Sequence, residues 1–314
     1  MRILVVGAGA LGGYFGGRLA AAGRDVTFLV RPARAAQLRD AGLVIRSPRG
    51  DLTLRDVKTV TSDTLNESFD LVLLGCKAYD LDDAIASFAP AVGPHTLILP
   101  FLNGMRHLET LQQRFGMSAV LGGVCLIAAT LNAEREIVHL NDSHAIAFGE
   151  IGGGLSERVN AVADALGNAG FDSKATPHIM QEMWEKWVFL ASLAGSTCLF
   201  RAPVGAILAT PDGETVIGRI FSECRTVAAE NGTPVRDAFV ERARSMLFAR
   251  NSTLTASMLR DVQNGSRTEA DHVLGDMIRR GGGDQQKPGE LTVLRIVYSQ
   301  LKAYDARRET GAPA

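Results

Sequence analysis

Residues 1–23 read MRILVVGAGALGGYFGGRLAAAG, and the order of residue types in this stretch decides the fold. Ile3 to Val6 form the short apolar run that a buried strand requires. Gly7, Gly9 and Gly12 follow in the spacing G-x-G-x-x-G, and Tyr14 to Ala22 carry the apolar and small residues of a packed helix. A strand, a glycine turn and a helix in that order form a dinucleotide-binding fingerprint. Gly7 suits the tight turn, Gly9 lets the backbone approach a pyrophosphate, and Gly12 lets the helix pack on the strand. The helix N-terminus offers unpaired N–H groups and a partial positive charge. The turn residues Gly7, Ala8, Gly9, Ala10, Leu11 and Gly12 are therefore the candidate phosphate contacts. The alternative is a glycine-rich turn in some other α/β protein.

The second strand reads Asp25-Val-Thr-Phe-Leu-Val30 and ends in Arg31, with Arg34 one turn later and no acid nearby in the sequence. A carboxylate at that strand end would accept the ribose 2′-hydroxyl of NAD. A guanidinium binds a 2′-phosphate with two parallel hydrogen bonds instead. The pattern favours NADP, with Arg31 as its reader. The alternative is two solvated charges at a helix start.

With 314 residues the chain has room for about two domains. Its 46 % hydrophobic and 21 % charged residues fit a globular enzyme, and a net charge of −1 gives no nucleic-acid footprint or polybasic membrane patch. No apolar run approaches the roughly 20 residues of a membrane span, and Ile3 to Val6 are too short for the core of a signal peptide. Cys76, Cys125, Cys198 and Cys224 form no C-x-x-C pair and read as reduced, mostly buried thiols of a cytoplasmic protein. The six histidines are scattered, so no metal is expected.

Apolar runs at 71–74, 96–99 and 120–127 continue the alternation of strands and helices, as a parallel sheet covered on both faces requires. Ligands bind at the carboxyl ends of such strands, which puts Lys77 and Asn103 toward the cofactor. Ile137–Leu140 and His144–Phe148 read as an antiparallel hairpin around Asn141-Asp142 that extends the sheet, and Gly170-Phe171 opens a last short strand. Beyond Pro177 helical spacing covers 180–200, 214–231, 235–249, 254–280 and 290–307, with breaks at Gly281-Gly-Gly283 and Pro288-Gly289. The fold class is α/β: a Rossmann-type dinucleotide-binding domain over 1–176, then an all-α domain over 177–314.

Three polar stretches could carry chemistry. Lys186 lies among Trp184, Trp187 and Phe189, where partial desolvation would lower its pKa and make it a usable acid; the alternative is an amine that snorkels to the surface. Ser257 to Glu269 is dense in polar groups, and Glu269 is a carboxylate that could meet a lysine from another helix; the alternative is a solvated helix face. Asn103-Gly104 follows a strand, and such a pair is often only a turn.

Taken together, GAGALGG at 7–13, CKAYD at 76–80, LNGM at 102–105, MWEKW at 183–187 and SMLRDVQNGSRTEAD at 257–271 resemble the ketopantoate reductase (2-dehydropantoate 2-reductase) family in order and spacing. The resemblance covers nearly the whole chain. It implies NADPH-dependent reduction of a 2-keto acid to a 2-hydroxy acid in a cleft between the two domains, by default ketopantoate to pantoate in pantothenate and coenzyme A biosynthesis. It implies Lys186 as general acid and Glu269 as the catalytic glutamate that helps hold it. Asn103 would contact substrate and cofactor, Ser257 the substrate carboxylate, and Lys77 the nicotinamide side. One departure stands out. The family's two substrate-binding asparagines, four and eight residues after the lysine, are Leu190 and Ala194 here. A more apolar 2-keto acid is then an alternative, with Arg201 or Ser196 as substitute anchors. A hydroxy-acid dehydrogenase working oxidatively and a catalytically silent NADPH-binding protein are further alternatives. A homodimer is the expected assembly.

Overall fold

The structure, a computed structural model, describes residues 1–282 and 291–311. Gly283 and Pro288-Gly289, two of the breaks expected from the sequence, lie outside the described residues. The chain divides into two compact units, one of Met1–Leu102 with His107–Met180 and one of Asn103–Arg106 with Gln181–Ala314.

The first unit contains β1 (Arg2–Val6), α1 (Ala10–Ala21), β2 (Asp25–Leu29), α2 (Pro32–Ala41), β3 (Leu43–Arg46), β4 (Leu52–Leu54), β5 (Lys58–Val60), β6 (Phe69–Leu74), α3 (Leu81–Phe88) and β7 (Val92–Pro100). These are followed by α4 (Arg106–Phe115), β8 (Gly122–Leu131), β9 (Ile137–Gly149), α5 (Glu157–Leu166) and β10 (Asp172–Ala175). A parallel sheet runs in the order β5-β2-β1-β6-β7. The centres of its inner strands are apolar runs because both faces are covered; Ile3, Leu4, Leu71, Val72 and Leu74 have no exposed surface. β3, β4 and β5 are too short to read from periodicity.

The expected hairpin takes a different form. Residues 137–149 are one strand, β9, which pairs antiparallel with β8 and parallel with β3 and β10 in a second sheet. Asn141 lies in a bulge of this strand: the register jumps from Ile127↔His144 to Ala129↔His139, and within the bulge the Asn141 side chain accepts a bond from Ala128 N–H at 2.9 Å.

Helix α1 fits between the sheets because it lacks side chains where they approach. A Cβ on Gly16 would lie 2.7 Å from the Phe28 ring of the parallel sheet. One on Gly13 would lie 2.5 Å from Ile137 Cδ1, and one on Gly17 2.5 Å from Leu43 Cδ2, both in the second sheet. Tyr14 between them is fully buried, with Oη 2.8 Å from His144 Nδ1.

Burial holds the His144 imidazole below its ordinary value, helped by Arg49, His139 and Arg18 and opposed by Asp172. A depressed pKa means that the unfolded chain binds the proton more readily. The stabilisation from this group is complete above the unfolded value, near 6.5, and is lost as pH falls through the lower folded value. The urea midpoint of the protein is expected to fall between pH 7 and pH 5, and His144→Gln should make that fall shallower. An unchanged slope in the variant would show that other groups carry the acid sensitivity.

The second unit contains α6 (Ile179–Phe200), α7 (Val204–Leu208), α8 (Gly213–Glu230), α9 (Asp237–Leu247), α10 (Ser257–Gln263), α11 (Asp276–Arg280) and α12 (Thr292–Glu309). Among the described residues no strand follows Ala175. The stretch 254–280 is not one helix. Asn264-Gly265 ends α10, with Gly265 at φ +67°, and the chain returns to helix through a π turn at Asp271–Gly275. In the last third of α6 a Cβ on Gly195 would stand 3.3 Å from Ile220 on α8 and 3.9 Å from Val297 on α12, so a small residue sets this packing. Buried Glu223 accepts from the N–H groups of Val293 and Leu294 and holds the first turn of α12. No described helix is long and apolar enough to cross a membrane.

Candidate active site

In the first unit the glycine turn lies where the sheet order reverses, at the carboxyl ends of β1 and β6, the usual ligand position in such sheets. Gly7 has φ +88°, and its N–H donates to the Leu29 carbonyl at 2.9 Å, which ties the turn to β2. A Cβ on Gly12 would lie 2.2 Å from the Gly7 carbonyl oxygen, and one on Gly75 3.1 Å from the Gly12 nitrogen. Gly9 is the α1 N-cap, and a Cβ there would meet nothing within 4 Å. No side chain caps α1 and its first turn carries no acid. The turn fits a dinucleotide pyrophosphate.

Arg31 and Arg34 differ sharply. Arg31, at the start of α2, has its side chain 81 % exposed, with Nη2 3.9 Å from Asp80 Oδ1. An acid does reach Arg31, but from the turn after β6 and not from its own strand. Arg34 is buried and donates from Nε and Nη2 to the Ala8 carbonyl, at 3.2 and 2.9 Å, and from Nη1 to Arg135 O at 3.1 Å. It braces the glycine turn from behind and is not a phosphate reader. Burial lowers its pKa, as does nearby Arg135. Lys77 is half-buried just before the Ala78–Asp80 turn.

In the second unit Trp187 is 1 % exposed, and its indole N–H donates to the Val273 carbonyl at 2.9 Å. That bond sets the turn of α6 that carries Lys186 against the segment that carries Glu269. Lys186 is half-buried, flanked by Trp184 and Trp187 with ring centroids 5.0 Å apart. The Arg280 guanidinium lies over both rings, at 5.9 and 5.8 Å, a cation the sequence reading missed. Glu185 next to Lys186 is bound by Arg236, through Nε at 2.8 Å and Nη2 at 2.6 Å, so its role is structural. Burial works to raise the Glu185 pKa, and these bonds outweigh it.

Glu269 is 8 % exposed, and its segment is held on both sides. Asp305 accepts from Thr268 N–H at 3.2 Å and Oγ1 at 2.8 Å, and Tyr304 Oη donates to Ser266 O at 2.9 Å. Asn103 is half-buried, and its turn packs against the π turn through Gly104 and His272. Ser257 is exposed in the first turn of α10; the preceding Ala256 N–H donates to Thr197 Oγ1 on α6 at 3.4 Å.

The family model ketopantoate reductase PanE/ApbA matches residues 3–153, and the model ketopantoate reductase PanE/ApbA C terminal matches residues 178–305. The chain belongs to the ketopantoate reductase family. Like the family, it is a nicotinamide-dinucleotide oxidoreductase. It is 38 % identical over 308 residues to the uncharacterized oxidoreductase YkpB of Bacillus subtilis, covering 98 % of this chain and 100 % of that one. It is 29 % identical to a 2-dehydropantoate 2-reductase of Halobacterium salinarum, over 89 % and 92 % of the two chains. The crystal structure of the Methylococcus capsulatus 2-dehydropantoate 2-reductase superposes with a TM-score of 0.84 at 31 % identity, covering 98 % of both chains.

Within this ketopantoate reductase fold, Leu190 and Ala194 follow Lys186 at one and two turns of α6 and share its face. Leu190 is half-buried and Ala194 is 4 % exposed. Of the two substitute anchors suggested by the sequence, Ser196 is spent within its own helix. Ser196 is fully buried and donates to the Ser192 carbonyl at 2.8 Å. Arg201 follows the helix end, with its guanidinium 5.9 Å from the ring centre of Tyr304, whose hydroxyl donates to Ser266 O in the segment that carries Glu269. Sequence reasoning also missed Arg34 as a brace and His272 as a neighbour of Asn103. Neither carries a local signal, because each acts on a residue distant in the chain.

Proposed function

We propose that this protein reduces a 2-keto acid to the 2-hydroxy acid with NADPH, with ketopantoate as the first substrate to test. The observation that carries the reading is the Trp187–Val273 bond, which ties the turn bearing Lys186 to the segment bearing Glu269. The reduced nicotinamide supplies the hydride. Charge then builds on the former ketone oxygen and needs a donor within hydrogen-bond reach. Lys186 Nζ gives the proton, Glu269 holds the amine and the new hydroxyl, Asn103 orients the substrate, and Ser257 takes its carboxylate. When the dinucleotide is bound, the turn from Gly7 to Gly12 would hold its pyrophosphate, Lys77 would line the nicotinamide side, and Arg31 would bind the 2′-phosphate.

A second reading follows from Leu190 and Ala194. Two polar partners for a keto-diol acid are replaced by apolar side chains, and such a loss changes discrimination by orders of magnitude. The same chemistry on a more apolar 2-keto acid fits these positions. NADPH oxidation with a panel of 2-keto acids, ketopantoate included, separates the two readings, and no turnover with any of them would reject both.

Arg31→Ala is expected to raise the KM for NADPH about tenfold and leave that for NADH nearly unchanged. The effect is put at the lower end for a charged hydrogen bond because the side chain is exposed and Asp80 lies beside it. Equal losses with both cofactors would remove Arg31 from the 2′-phosphate site.

A further inference from the structure

We propose that His272 is a positioning residue for this site: its imidazole braces the Asn103–Gly104 turn and so sets the aim of the Asn103 side chain. The inference rests on the 2-keto acid reading of the same residues.

Gly104 has φ +77°, and a Cβ there would lie 2.9 Å from both Cδ2 and the carbonyl oxygen of His272, and 3.3 Å from Nε2. The turn is thus in contact with both the ring and the main chain of one residue. The ring also bonds the main chain of Asn103, in the sense that favours the protonated imidazole, so the ring is the donor. His272 is 8 % exposed, and its backbone N–H donates to the Glu269 carbonyl at 3.1 Å. It occupies the second position of the π turn, a local geometry frequent at functional sites. The next residue, Val273, receives the Trp187 indole bond. One side chain therefore touches the turn bearing Asn103, while its backbone is fixed to Glu269 and, one residue on, to the helix turn of Lys186.

The charged groups around the ring are Glu269 and Asp276 on its own segment and Arg106 beyond the Asn103 turn. Burial lowers the imidazole below its ordinary value; Glu269 and Asp276 oppose this, and Arg106 adds to it. A neutral ring has a single N–H, which goes to Asn103. Protonation would add a second N–H and a full charge next to Glu269, the carboxylate assigned to hold Lys186. Low pH should then disturb both the turn and the lysine's partner through this one ring.

The test uses the full-length protein and the variants His272→Phe and His272→Gln. Phenylalanine keeps the bulk and loses the donor; glutamine keeps an N–H and cannot titrate near neutrality. His272→Phe is expected to raise the KM for the 2-keto acid about tenfold and leave the KM for NADPH within about twofold. Amide hydrogen exchange at residues 103–106 should accelerate selectively. His272→Gln should restore the KM to within about threefold and move the acid limb of the kcat/KM profile to lower pH. Unchanged KM and unchanged exchange in His272→Phe would overturn the proposal. So would equal losses in both KM values and kcat with no rescue by glutamine, the outcome of a purely structural role. If the parent reduces no 2-keto acid, the chemical reading fails separately, and the exchange at 103–106 alone decides whether His272 braces the turn.

Discussion

Replacing Lys186 by alanine is expected to lower kcat by about 10²- to 10⁴-fold, the usual worth of a positioned general acid. The physical reason is the charge that hydride delivery leaves on the substrate oxygen. Lys186 is half-buried, flanked in the helix by Trp184 and Trp187, on a turn fixed by the Trp187 indole bond. NADPH affinity should barely change, because the amine is assigned to the substrate. Glu269→Ala should also reduce turnover. The double variant should lose less than the product of the two single losses, since the residues act as one unit. Rates measured at saturating NADPH and substrate decide the matter: near-normal kcat in Lys186→Ala would reject the assignment, and multiplicative losses would separate Glu269 from it.

Gly12→Ala is expected to weaken NADPH binding by about 10- to 100-fold. The added Cβ would lie 2.2 Å from the Gly7 carbonyl oxygen and 3.1 Å from Val5 Cγ1. A backbone oxygen cannot swing aside as a side-chain end can, so either α1 or the turn must move. Overpacking of this kind typically costs about 1–3 kcal/mol, and 1.4 kcal/mol is a factor of ten in affinity. Gly9→Ala is the comparison, since its Cβ would meet nothing of the protein within 4 Å; its effect measures the approach of the cofactor alone. Fluorescence titration of NADPH and urea midpoints for both variants separate a fault in the fold from a fault in the pocket. Binding within twofold of the parent in Gly12→Ala would show that the turn relaxes without cost.

The readings that succeeded and those that failed divide by range. The strand, glycine turn and helix of residues 1–23 were legible because each requirement is met by residues adjacent in the chain: an apolar run, a positive φ, a missing Cβ. Likewise the apolar runs of β6 and β7 announced strands covered on both faces. Arg34 shows the other side. Three residues from Arg31 and equally charged, it carries no local sign of a different role, yet its guanidinium is bound to Ala8 and Arg135, 26 and 101 positions away. Ser196 looked available and is spent on its own helix. Strand β9 was read as a hairpin because Asn141-Asp142 is a turn signal, but the signal marks a bulge in one strand that pairs with β8 on either side of it.

By itself, then, the sequence determined the dinucleotide-binding unit, the helical character of the second part, the family resemblance and the residue types able to move a proton. These depend on local backbone geometry and on the periodicity of apolar residues, both of which act over a few neighbours. The tertiary structure alone decided which polar groups are spent and which are posed. It turned Arg34 inward and brought Asp80 to Arg31. It also fixed Glu269 between Asp305 and the Trp187 bond, and set His272 against Gly104. A buried polar group must be hydrogen-bonded, and in a folded chain its partner is often tens of residues away. No short window of sequence contains that partner, so only the packed structure shows it.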